Sequence, residues 1–208
     1  MSEAGFTVFL VDDDADVLKA LARLLRASGF DSREFASPMD FLRGHDASVP
    51  GCAVFDVAMP DLDGLALQRT LATKGVERPV IFLTGRGDIP TSVRAMKAGA
   101  VDFLTKPVDA DALLAAIAHA REREVREREA RAQMEAFVAK LARLTPRERE
   151  VLGHVVAGRL NKQIAYDLGT VEKTIKVHRS RMMVKMGVRS LAELVRMAER
   201  GGVQTPHH

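Results

Sequence analysis

The chain's 208 residues are 47% hydrophobic and 28% charged, with a single cysteine and no tryptophan. That length allows one large or two modest cores, and no apolar run approaches the roughly 18 residues of a membrane span. The net charge of +3 conceals a division: residues 1–118 hold 12 basic and 17 acidic side chains (−5), 119–143 come to +2, and 144–208 to +6. An acidic front joined to a basic back predicts two jobs, the second on a polyanion.

In chain order, the run FTVFLV (6–11) ends in Asp12, Asp13 and Asp14. The spacing of Val17, Leu18, Leu21, Leu24 and Leu25 predicts a helix over Asp16–Ser28, stopped by Gly29, with Asp14 or Asp16 as its cap. A short second helix is expected over Pro38–Arg43. CAVFD (52–56) ends in Asp56 and leads to a helix over Leu65–Lys74, closed by Gly75. PVIFLT (79–84) ends in Thr84 and leads to a helix over Thr91–Ala98, closed by Gly99. VDFLTKP (101–107) places Lys106 before Pro107. Short apolar runs with little polar alternation indicate strands covered on both faces. The first 108 residues therefore read as five strands separated by helices, a doubly wound α/β sheet. In such a sheet, sites form beyond the carboxyl ends of the strands.

From Asp109 to about Arg143 there is neither Gly nor Pro, which predicts one long helix. Glu122–Arg126 and Glu124–Arg128, at i and i+4, support a solvated middle. Ala130, Met134, Phe137, Leu141 and Leu144 form an apolar stripe that either docks on its own C-terminal domain or meets a second subunit. Thr145-Pro146-Arg147-Glu148 is a capping box with Pro at the first helical position. Four short helices are expected at about 146–157, 161–168, 172–186 and 191–200, with Ser190–Glu193 as a second capping box. Within 172–186, Val171, Ile175, Met182 and Met186 form a core stripe. Lys173, Lys176, Val177 and Ser180 lie opposite, while Lys185 reads as a solvated charge. A basic face with a small apolar residue suits the major groove, where Lys reaches guanine or phosphate and Val a thymine methyl. The helix before it, joined through Gly169, completes a helix-turn-helix outline.

The strand ends carry phosphoryl chemistry. Asp56 is the carboxylate best placed to attack phosphorus. Asp12, Asp13 and Asp56 would repel one another without a shared cation, and Mg²⁺ suits a few carboxylates plus phosphate oxygens. Thr84 and Lys106 can stabilise the spread charge of the transferring group. Cys52, alone and within a predicted strand, fits a reducing compartment, and no charged-then-apolar leader opens the chain, so a cytoplasmic location is expected.

VDDD, DVAMPDLDG, FLTG and DFLTKP resemble the motifs of response-regulator receiver domains over residues 6 to about 118. The resemblance implies a flavodoxin-like sheet in the order 2-1-3-4-5 with Asp56 as phosphoacceptor. Asp13, the Asp56 carboxylate and the Ala58 backbone carbonyl would hold Mg²⁺, with Asp12 supporting it through water. Thr84 would be the switch hydroxyl, Phe103 the switch aromatic that turns inward, and Lys106 the phosphate-contacting cation, its bond to Pro107 being cis. Arg86 would tune the phosphoryl lifetime.

LTPREREVL, GRLNKQIAYDLG and EKTIKVHRSRMMVKMGVRSLAELV resemble the LuxR-type helix-turn-helix of FixJ/NarL-type regulators. By that resemblance Lys176, Val177 and Ser180 face bases. Lys173, Thr174, His178 and Arg181 contact or flank phosphates, and Asn161 and Lys162 add backbone contacts. Val171 stands where the family usually has a capping Ser. Val101, Leu191, Leu194 and Val195 are candidate pairing residues.

The expected organisation is a receiver over 1–118, a helical linker over 119–143, and an all-α four-helix LuxR-type domain over 144–208. The implied function is a two-component transcription regulator rather than a turnover enzyme. A sensor histidine kinase would phosphorylate Asp56, and the homodimer would bind promoter DNA and RNA polymerase, away from any membrane. Two rivals are weaker. A haloacid-dehalogenase-like phosphotransferase needs a second acid where Ala58 stands, and a constitutive dimerisation module has no need of three crowded carboxylates.

Overall fold

The computed structural model describes residues 5–85 and 89–200, in two compact units divided at Glu127 and Arg128. Among the described residues no helix is long and apolar enough to cross a membrane.

The first unit is a five-stranded, all-parallel sheet: β1 (Thr7–Val11), β2 (Asp31–Phe35), β3 (Gly51–Asp56), β4 (Val80–Thr84) and β5 (Asp102–Thr105). Their spatial order is β2-β1-β3-β4-β5. Between them run α1 (Ala15–Ala27), α2 (Pro38–Gly44), α3 (Gly64–Thr73) and α4 (Ile89–Lys97), with α5 (Ala110–Ala142) following. Strands β3 and β4 are buried along their whole length, as continuous apolar runs in a sheet covered on both faces must be. One face packs Val8, Leu10, Val54, Ile81 and Leu83 with Leu21, Leu25, Leu113 and Ile117 from α1 and α5. The other packs Phe9, Phe55 and Phe82 with Phe41, Leu67, Leu71 and Ala95 from α2, α3 and α4.

Local chemistry starts each helix where the sequence has a polar cap. Asp14 caps α1 through Asp16 N–H and Val17 N–H, Ser37 caps α2, and Asp63 caps α3. Strand β2 escapes the apolar pattern because it is an edge, with Asp31, Arg33 and Glu34 exposed.

The second unit takes the end of α5 with α6 (Pro146–Val156), α7 (Asn161–Asp167), α8 (Glu172–Met186) and α9 (Leu191–Arg200). Its core gathers Val151, Leu152, Val155, Ile164, Ile175, Met182, Met186 and Leu194. Phe137 and Leu144 are buried there and Leu141 packs against it, so this end of the stripe docks within its own unit. Ala130 and Met134 stay exposed.

Four expectations need correction. Val171 is outside the core and exposed, because it precedes the first helical residue of α8 and its side chain is not yet on the helix's inner face. Lys185 is not simply solvated: its ammonium lies 2.6 Å from the buried Glu148 carboxylate. Glu124 is buried rather than on a solvated face. Ser190 accepts Glu193 N–H, but the Glu193 carboxylate takes Arg189 N–H rather than that of Ser190, so only half the second box forms.

Candidate functional site

Parallel register brings the strand ends together. Val11 pairs with Phe55, which sets Asp12 beside Asp56, and Thr84 pairs with Thr105, one residue before Lys106. Lys106 N–H donates to the Thr84 carbonyl at 2.7 Å, fastening the loop after β5 to the end of β4. Lys106 Nζ then lies 2.7 Å from Asp12 Oδ2 and 2.6 Å from Asp56 Oδ1. The Lys106–Pro107 peptide is cis.

Asp12, Asp56 and Thr84 are all buried, whereas Asp13 is exposed. The free oxygen of each buried carboxylate is used: Asp12 Oδ1 accepts Asp14 N–H at 3.0 Å, and Asp56 Oδ2 accepts Ala58 N–H at 2.6 Å. Burial raises the Asp12 pKa above the usual carboxylate range, against the lowering effect of Lys106 and the Asp14 amide. For Lys106 burial works to lower the pKa, but the hydrogen bonds it donates to Asp12 and Asp56, with the charge of the two carboxylates, outweigh it and the ammonium is held above its ordinary value.

The balance of charge bears on a cation. Asp12 and Asp56 share one ammonium, Asp13 follows Asp12 in the chain and is exposed, and carboxylate oxygens are hard donors of the kind Mg²⁺ prefers. Among the described residues no three acidic, His or Cys side chains form a ready-made cage.

Phe103 is half-buried against the second face, its ring centroid 6.3 Å from that of Phe82. Arg86 lies outside the described residues. Gly64, the last residue of the DVAMPDLDG run, also belongs to the site. A Cβ there would collide with the Asp56 carbonyl oxygen, so the start of α3 packs on the backbone of Asp56 itself. The Asp63-Gly64 pair was the available signal, since it joins a cap to a residue that allows close approach.

On the second unit, Lys173, Lys176, Val177, Ser180 and Arg181 of α8 are exposed, with Thr174 and His178 half-buried on its flank. Ile175, Met182 and Met186 face the core. Lys176 pairs with Glu172 at 3.0 Å, an exposed contact that a stronger anion can displace. Lys162 of α7 is exposed, and Asn161 Oδ1 accepts from Arg179 Nη1 at 3.1 Å. Val171 is the N-cap of α8 and makes no side-chain capping bond. Leu194 is fully buried in its own core and cannot face a partner, which leaves Leu191 exposed and Val195 half-exposed on α9. Val101 is half-buried, its N–H bonded to the Val80 carbonyl.

Comparison with known proteins bears on both units. Residues 8–118 match the family model of the response regulator receiver domain, and residues 142–198 match that of bacterial regulatory proteins of the luxR family. Nodulation protein W of Bradyrhizobium diazoefficiens is 42% identical over 200 residues, covering 96% of this chain and 88% of that protein. The transcriptional regulatory protein FixJ of Rhizobium meliloti is 43% identical over 197 residues, covering 95% and 97%. Among solved structures, the response regulator StyR matches with a TM-score of 0.84 and 43% identity, over 95% of this chain and all of that one.

Proposed function

Because the chain belongs to the response regulators that join a receiver domain to a LuxR-type DNA-binding domain, we propose that phosphorylation of Asp56 controls its binding to promoter DNA. The observation that carries this reading is the convergence of Asp12, Asp56 and Lys106 at the strand ends. We assign the receiver to 1–118, the linker to 119–143 and the DNA-binding domain to 144–208.

Asp56 attacks the phosphorus of a phosphohistidine on a sensor kinase. An oxygen–phosphorus bond forms, the phosphorus–nitrogen bond breaks, and the imidazole leaves with the electron pair. Lys106 already touches the Asp56 carboxylate and contacts an oxygen of the arriving group. The Thr84 hydroxyl donates to another, and Phe103 follows it inward. Asp13, Asp56 and the Ala58 carbonyl would hold Mg²⁺, with Asp12 supporting it through water; the ion would supply neutralisation of the phosphoryl oxygens. Ala58 leaves no acid to protonate a leaving group, so the domain accepts and loses one phosphoryl group rather than turning over substrate.

The face made by α4 and β5, with Val101 on it, pairs two receivers. Leu191 and Val195 of α9 pair the DNA-binding domains. In α8, Lys176, Val177 and Ser180 read bases, while Lys173, Thr174, His178 and Arg181, with Asn161 and Lys162 of α7, meet phosphates. RNA polymerase is the final partner, in the cytoplasm where promoter DNA lies.

Incubation with acetyl phosphate and Mg²⁺ followed by intact-mass measurement tests the first step. Wild type should gain one phosphoryl group and Asp56→Asn none. Equal labelling of both would sink the assignment.

A further inference from the structure

Asn161 opens α7, and Arg179 sits on the flank of α8 that faces it. The 3.1 Å contact runs from Arg179 Nη1 to Asn161 Oδ1. A guanidinium donates at every polar atom and accepts at none, so only the oxygen of an amide can face it. The NH₂ of Asn161 is thereby turned to the other side. Both residues are half-buried, which limits the freedom of the pair to reorganise.

From this geometry we infer that Arg179 is a positioning residue for DNA binding: it fixes the Asn161 amide so that a donor, not an acceptor, is offered to a DNA phosphate. The inference rests on the DNA-binding reading above and adds to it a residue outside the set expected to touch DNA. A phosphate oxygen only accepts, so an amide free to flip would offer the repelling oxygen part of the time. Arg179 removes that alternative before DNA arrives, and an ordering already made in the free protein need not be made on binding. The pair also joins α7 to α8, so the phosphate contact and the base-reading helix are held in one register.

The test is a double-mutant cycle on the full-length chain, with a duplex selected from a random pool by phosphorylated wild type. Asn161→Ala and Arg179→Ala should each weaken binding by about five- to tenfold, the scale of one hydrogen bond, and the double variant should be no weaker than the worse single one. Asn161→Asp keeps an oxygen for Arg179 but presents a second oxygen to phosphate, so it should bind more weakly than Asn161→Ala. The slope of log affinity against log salt should be unchanged in Arg179→Ala; direct phosphate contact by Arg179 would make it shallower by about 0.9. Heat-unfolding midpoints check that each variant folds. Additive losses, a shallower slope, or wild-type binding by Asn161→Asp overturns this inference while leaving DNA binding intact. A wild-type chain that retains no duplex above a random control overturns the DNA-binding reading and this inference with it.

Discussion

The Lys106 ammonium lies 2.6 Å from Asp56 Oδ1, so the proposed phosphoacceptor is already paired with the cation proposed to receive the phosphoryl group. The same ammonium is 2.7 Å from Asp12, which makes Lys106 the link between two buried carboxylates. Lys106→Met should therefore leave both uncompensated. We expect a loss of about 1–3 kcal/mol in urea unfolding at neutral pH and slower labelling by acetyl phosphate. Added Mg²⁺ should raise the heat-unfolding midpoint more in the variant than in wild type, because the remaining charge is more negative. An unchanged stability would show that the two contacts do not persist in solution.

Gly64 is constrained by space rather than by φ. A Cβ would collide with the Asp56 carbonyl oxygen, and neither group can swing aside because both are fixed to the backbone. Gly64→Ala should cost about 1–3 kcal/mol, as forced overpacking does, and should slow phosphorylation of Asp56 by shifting the end of β3. Gly75→Ala is the control: Gly75 has a positive φ of 70° but open space around it, so it should lose stability without losing the phosphorylation rate. Equal phosphorylation rates in Gly64→Ala and wild type would show that the packing of Gly64 on Asp56 does not set the acceptor's position.

Glu148 closes the capping box of α6 and receives Lys185 from α8. The Lys185 contact, then the Thr145 amide, lower its pKa below the usual 4.5. A lowered carboxyl pKa stabilises the fold above 4.5, and that contribution disappears as pH falls through the folded-state value. Glu148→Gln should therefore be less stable than wild type at pH 7, with the gap narrowing below pH 4.5. Heat unfolding across pH 3–7 checks this; a gap independent of pH would rule out the ionised pair as its source.

Val171 holds the N-cap position of α8 in extended backbone, with φ −101° and ψ 150°, and contributes no capping bond. Val171→Ser supplies an oxygen to the orphan N–H groups of the first turn. A gain of about 1 kcal/mol is expected, read from urea unfolding, together with tighter DNA binding if the hydroxyl also meets a phosphate. A destabilised variant would mean that the exposed Val side chain has a packing role that its position does not suggest.

The sheet was legible because its buried strands are apolar runs that end in a polar residue, as β3 does at Asp56, or lead straight into one, as β1 does at Asp12. Strand β2, DSREF, is counted among the five expected strands without being an apolar run, since an edge strand faces solvent with Asp31, Arg33 and Glu34. Site geometry was legible only as a set of strand ends; that Lys106 bridges Asp12 and Asp56 depends on register and on the loop after β5. Lys185 shows the general limit. Its helical neighbours give no sign of Glu148, 37 residues earlier, because that pairing is made by the packing of α6 on α8. Val171 fits the core period by count alone, yet the period applies only once the helix has begun.

Phosphorylation of Asp56 is proposed to drive both pairing and DNA binding. The most direct test combines gel shift with light scattering on wild type and Asp56→Asn, each with and without acetyl phosphate and Mg²⁺. The phosphodonor should raise both mass and DNA affinity in wild type and neither in the variant. Equal DNA binding by both proteins, with no change in mass, would contradict it and leave the receiver without control of the DNA-binding domain.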